Sequence, residues 1–179
     1  MRVRRLAVAA LLLGGAAASR AAVVEVALTG FRVREEAVIS SDPGRVYRAL
    51  IAVGDWWHPE HTHSKNSKNL SIDARPGGCF CEKLPGGGGA EHMRVVIALP
   101  GERLRMIGTL GPLQESGLAG SMNWTLAATG STTKVEISYS VGGYFPGGFE
   151  KIAPAVDAVL GEQLARLKRF LETGTPAEK

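Results

Sequence analysis

The sequence is short of several things, and each shortage removes a class of function. It holds only two cysteines, Cys79 and Cys81, in 179 residues. Neither is near the N-terminus, so no cysteine there can carry a lipid. No glycine cluster leads into Lys-Ser or Lys-Thr, so the phosphate-cradling loop of nucleotide-binding proteins has no counterpart. No apolar run reaches the roughly 20 residues that a spanning helix requires. The nearest approach, Leu6 to Ala22, is broken by Arg20. No internal repeat is apparent.

Net charge is also missing once the N-terminal segment is set aside. Arg2, Arg4, Arg5 and Arg20 are four of the 21 basic residues, and no acidic residue precedes Glu25; without them, 17 basic residues face 17 acidic ones. The pI of 9.3 therefore belongs to the first residues. A neutral domain lacks the broad positive field that nonspecific nucleic-acid binding needs, so nucleic acid is not expected as a partner.

Those first residues have an order of their own. A basic start at Met1 to Arg5, an apolar run from Leu6 to Leu13 and small residues before Ala22 predict a cleavable export signal over 1–21. The expected product is a periplasmic or secreted domain over 22–172 with a flexible tail at 173–179 and no stable membrane span.

Within that domain, alternation at Phe31, Val33, Ala37 and Ile39 predicts a strand, imperfect at Glu35. Ser40-Ser-Asp-Pro43 then offers a capping side chain and a proline at a first helical position, with Val46, Tyr47, Leu50 and Ile51 at helical spacing. Five further alternating stretches come next, at Leu70 to Ala74, Cys79 to Leu84, His92 to Leu99, Arg103 to Leu110 and Met122 to Ala128; a sixth spans Val135 to Val141. In the hairpin around Gly86 to Gly89, the second strand is expected to carry Met93, Val95, Ile97 and Leu99 on one face. A period of three to four from Phe149 through Leu171 predicts a long amphipathic helix, with Pro154 in its opening turns. Strands in a run followed by one helix imply an α+β layer packing.

This order of elements, together with Ser40-Ser-Asp-Pro43 and Val46-Tyr47, Trp56-Trp57, Gly77-Gly-Cys-Phe80 with Glu82, Pro100-Gly-Glu-Arg-Leu104, Gly111-Pro-Leu-Gln114, Trp124-Thr-Leu126, Val141-Gly-Gly-Tyr144 and the terminal Gln163-Leu-Ala-Arg-Leu167, resembles the START-like or SRPBCC superfamily. The superfamily includes polyketide cyclases and chaperone-ATPase-activator-like proteins. The resemblance implies a helix-grip fold: a curved antiparallel sheet of about six or seven strands wrapped around the C-terminal helix. It further implies a cavity between them for a lipid-like or polyketide-like molecule. No cofactor is expected. Fold alone transfers no activity.

If the Gly86 to Gly89 loop closes its hairpin symmetrically, Glu82 stands opposite His92, Cys81 opposite Met93 and Cys79 opposite Val95. A carboxylate beside an imidazole is a candidate acid-base pair, so Glu82 and His92 are the candidate catalytic residues of a cyclase- or hydrolase-type enzyme. The competing reading is a cross-strand polar pair that serves the sheet. Candidate ligand-binding residues are Trp56 and Trp57 at the cavity mouth, His61, and Gln114, Asn123, Trp124, Tyr139 and Tyr144. His58, His61 and His63 with Glu60 match no strong zinc spacing, so no metal is expected. Cys79 and Cys81, about 6.6 Å apart along an ideal strand, are read as free thiols. Asp157 beside the helix stripe is read as facing solvent.

Overall fold

The computed structural model describes residues 22–177. The expected export signal at 1–21 lies outside the described residues, as do the last two residues of the tail.

Eight strands form one antiparallel sheet: β1 (Ala22–Ala27), β2 (Gly30–Ile39), β3 (Leu70–Ile72), β4 (Cys79–Lys83), β5 (Gly89–Leu99), β6 (Arg103–Ile107), β7 (Ala119–Thr129) and β8 (Thr132–Gly142). Their spatial order is β1-β2-β8-β7-β6-β5-β4-β3. Two helices complete the domain, α1 (Pro43–Ile51) and α2 (Ile152–Thr173). The sheet is one strand larger than expected because Ala22–Ala27 pairs with β2.

Local chemistry sets the helix limits. The Asp42 side chain accepts from the Arg45 amide at 2.9 Å and Pro43 opens α1, so the cap and the fixed φ of proline start the helix together. Pro154 is the third residue of α2, inside the first turn, where amides lack an intrahelical acceptor in any case. The helix ends at Gly174, whose φ of 80° is left-handed and whose amide donates to Phe170 O.

The core lies between the inner face of the sheet and α2. Val33, Ile39, Val135, Ile137, Leu104, Met106 and Trp124 point inward by strand alternation, and Leu160, Leu164 and Leu167 meet them at helical spacing. Each such side chain, fully buried, contributes roughly 1.5–3 kcal/mol relative to exposure.

Two bulges in β5 change the expected register. The hairpin closes at Lys83 opposite Gly89, so Gly89 belongs to the strand and the connection runs over Leu84 to Gly88 rather than Gly86 to Gly89. Glu82 therefore pairs with Ala90 and Cys81 with Glu91; beyond a bulge, Phe80 pairs with Met93 and Cys79 with Arg94. His92 is the extra residue. It and Met93 are consecutive and both buried, which regular alternation forbids. A second irregularity between Val95 and Ile97 turns the remainder of the strand over, so Leu99 is exposed while Ala98 packs on the core. The expected shared face of Met93, Val95, Ile97 and Leu99 ends at Val95.

Cys79 and Cys81 form a disulfide rather than two free thiols. Their Cα atoms are 5.4 Å apart, closer than an ideal strand places alternate residues and inside the usual range for a bridge. The bulge opposite them bends the ladder at this point.

Candidate functional site

A cavity of about 480 Å³ opens between the first half of α2 and one end of the sheet. Val156, Val159 and Leu160 form its helix side, Trp57 and Phe80 its aromatic wall, and Leu113 the loop side. His61, His63 and His92 supply imidazoles, and Glu60 and Glu115 supply carboxylates.

The most ordered polar group is the Glu82–His92 pair. His92 Nε2 lies 3.0 Å from Glu82 Oε2, and both side chains are nearly sealed, at 7% and 0% exposure. The contact expected from sequence is present, though diagonally across the bulge and not between directly paired positions. Two backbone amides also donate to the same carboxylate, His63 N to Oε2 at 3.1 Å and Ser64 N to Oε1 at 2.6 Å. Burial pushes the Glu82 carboxyl up, but the hydrogen bonds from Ser64, the His63 amide and His92 outweigh it and hold the group below its ordinary value. For His92, burial dominates the attraction of Glu82 and lowers the imidazole below its ordinary value. The pair is thus an ionised carboxylate and a neutral ring. An ionised carboxylate only accepts, so Nε2 carries the proton. The His63 ring stacks parallel on His92 at 5.4 Å, and Phe80 packs against it at 5.0 Å.

A second set, His58, His61 and Glu162, stands beside the cavity, which His61 lines. Its three ligand-type atoms lie within 4.8 Å of one another. His61 Nε2 is 3.0 Å from Glu162 Oε2, and His58 Nε2 is 3.7 Å from Oε1. His58 Nδ1, however, accepts the Glu60 amide at 3.1 Å as the cap of a short turn. A neutral imidazole that accepts at Nδ1 carries its proton on Nε2, so that nitrogen has no lone pair for a cation. The arrangement works as a latch: Gln163 Oε1 accepts the His58 amide at 2.8 Å and Arg166 Nε donates to Trp56 O at 2.9 Å, tying the mouth loop to α2. Gln163 and Arg166 belong to the terminal segment that contributes to the family resemblance, whereas Glu162 carries no sequence signal beyond being polar beside an apolar stripe.

The remaining candidates fall in three places. Trp56 and Trp124 are core residues with rings 6.1 Å apart, and Trp56 Nε1 donates to Ala49 O. Gln114 and Tyr139 support the loop over the cavity: Gln114 Nε2 donates to Glu91 O at 2.7 Å, and Tyr139 Oη accepts the Leu110 amide at 3.1 Å. Asn123 lies on the outer sheet face, accepting from Arg105, and Tyr144 is 82% exposed.

Sequence reasoning also passed over a buried acidic pair. Glu35 keeps the inward parity of β2 and is fully buried, and Asp157 is buried beneath α2 rather than facing solvent. No donor reaches either Glu35 oxygen or Asp157 Oδ1. Burial, and then the adjacent Asp157, push the Glu35 carboxyl up to about 8. At neutral pH Glu35 therefore keeps a proton, which supplies the donor that the pair otherwise lacks. Gly161 makes the room, since a Cβ there would sit 3.2 Å from Glu35 Oε1.

No protein-family model matches the chain and no curated protein matches it in sequence. Solved structures do match in shape. A structural-genomics protein from Chromobacterium violaceum is 23% identical, with a TM-score of 0.54, over 79% of this chain and 96% of its own. The Aha1 dimer from Colwellia psychrerythraea is 18% identical, with a TM-score of 0.56, over 80% of this chain and 97% of its own. CalU16 from Micromonospora echinospora is 15% identical, with a TM-score of 0.52, over 81% and 78%. The chain has a helix-grip fold, an eight-stranded antiparallel sheet around α2, with an apolar-walled cavity between sheet and helix. No helix among the described residues is long and apolar enough to cross a membrane.

Proposed function

We propose that this is an exported binding protein that holds an apolar, lipid- or polyketide-like small molecule between the sheet and α2. The observation that carries the reading is the cavity: about 480 Å³, walled largely by aromatic and aliphatic side chains with a few placed polar groups, which is the usual make-up of a small-molecule site. Export is supported by the order of charge and hydropathy in the first 21 residues and by the Cys79–Cys81 bridge, since disulfides persist in oxidising compartments. The test is extraction of protein purified from its native compartment with organic solvent and mass spectrometry of the extract, beside Val159→Trp, which fills the cavity. A bound apolar compound that is lost in the variant supports the reading; no compound, and none that can be loaded, ends it.

A second reading, acid-base catalysis of the cyclase or hydrolase kind, draws on the Glu82–His92 geometry. A buried carboxylate that orients a neutral, cavity-lining imidazole is the arrangement of a general base. Hydrolysis of an apolar aryl ester should then fall at least about a hundredfold in His92→Gln, the low end of what general-base catalysis contributes. Equal rates in the two proteins would remove it.

A further inference from the structure

We propose that the cavity selects apolar molecules bearing a hydroxyl donor, a phenol or an alcohol, over the corresponding carboxylates and ethers, with His92 Nδ1 accepting the hydroxyl hydrogen. The inference rests on the reading of the cavity as a ligand site and specifies what that site recognises.

The direction of the hydrogen bond is set by the groups behind the ring. Glu82 receives the His63 and Ser64 amides and His92 Nε2, so it is an acceptor on every side. This fixes the tautomer with the proton on Nε2 and leaves Nδ1 as a bare lone pair. No described residue hydrogen-bonds Nδ1, and it is not among the sealed polar atoms, so it retains access through the cavity that His92 lines. The neighbours keep the ring neutral. Phe80 packs against it from β4, and the His63 imidazole stacks on it from the mouth loop, where a second positive charge would be unfavourable.

The charge of the lining excludes the obvious alternative. An apolar acid would need a cation, and the lining contains no lysine or arginine. It contains Glu60 and Glu115 instead, and the ionised Glu82 lies behind His92. A carboxylate ligand would meet like charge and an acceptor nitrogen. An ether would fill the same apolar space but leave Nδ1 unpaired, and an unmade hydrogen bond in a dry site is costly.

Calorimetric titration with 2-naphthol, 2-methoxynaphthalene and 2-naphthoate separates these cases, because the three share one apolar frame. On the unmodified protein near neutral pH, naphthol should bind about tenfold or more tighter than the methyl ether, the ratio expected for one hydrogen bond gained or lost, with naphthoate weakest. In His92→Phe the naphthol advantage should vanish while the ether still binds. Glu82→Gln provides the second variant. Its amide can donate to Nε2 and move the ring proton to Nδ1, so the naphthol preference should shrink or reverse, an effect that loosened packing alone would not produce. Equal affinity for naphthol and its ether, tightest binding of naphthoate, or a preference unchanged in both variants would overturn the selectivity and leave the cavity reading standing. If none of the three binds, both fall.

Discussion

Two glutamates are buried among the described residues, and the protein treats them in opposite ways. Glu82 on β4 is surrounded by donors and is held ionised; Glu35 on β2 meets another acid and no donor, and is held protonated. Their burial is nearly the same, 2% and 0% exposed as whole residues. Burial pushes both carboxyls up; the donors around Glu82 outweigh that push, and Glu35 has none to do so. The ionised acid stands at the cavity, where it orients an imidazole. The neutral one stands under α2, where it lets helix and strand close over a proton.

The comparison breaks with the largest loss of stability at Glu82. Glu82→Ala strands two amides and the His92 Nε2–H in the interior and should cost about 3 kcal/mol, read as a lower urea midpoint with an unchanged slope. An effect of opposite sign, absent at low pH, is expected from Glu35→Gln. The folded protein keeps the Glu35 proton up to about pH 8, whereas the unfolded chain releases it near the ordinary value of 4.5. The native state thus binds the extra proton between these values, so stability should fall as pH rises through that window and level off above it. Glu35→Gln should flatten this decline and be more stable by on the order of 5 kcal/mol at pH 9, the difference between 4.5 and about 8 at about 1.4 kcal/mol per pH unit, with little difference at pH 4. Parallel melting curves for the two proteins from pH 4 to 9 would contradict the assignment of the proton.

Gly161 offers a finer probe. An added methyl gains about 1 kcal/mol of helix propensity but presses on Glu35. Gly161→Ala should therefore be near neutral or destabilising in the natural protein and stabilising by about 1 kcal/mol beside Glu35→Ala, a difference that a double-mutant cycle isolates. The mildest change is His61→Ala at the exposed latch to Glu162. It should cost less than about 1 kcal/mol in thermal unfolding, as the loss of an exposed side-chain contact does.

The parts of the fold that keep a regular period could be read from the sequence. Alternation located most strands, and the stripe from Ile152 to Leu171 located α2, because a repeated burial pattern leaves a repeated residue pattern. The features that escaped are those that break the period without marking it. Nothing in Glu91-His92-Met93 or Val95-Val96-Ile97 announces an extra residue, yet each bulge reverses the face of the strand residues beyond it. Glu82 and His92 were matched in spite of a wrong register, because a bulged diagonal brings long side chains as close as a direct pair does. Glu35 failed in the other direction: it looked like a fault in β2 because acids are rarely buried, although its parity was correct. Asp157 was read outward for the same reason. Neither could be placed without knowing that the other was opposite.

The extra residue at His92 also bears on how such a site can be gained or lost. Toward the turn, Lys83, Glu82 and Cys81 pair with Gly89, Ala90 and Glu91; on the far side, Phe80 and Cys79 pair with Met93 and Arg94. Excision of His92 would join these two runs into one uninterrupted ladder, with no flanking residue obliged to change its partner or its face. The imidazole is in this sense an insertion into a hairpin that is already complete. A single codon separates a cavity with this sheet-borne imidazole from one without it, so recognition chemistry in this framework can change by length variation at one position while the surrounding sheet keeps its sequence.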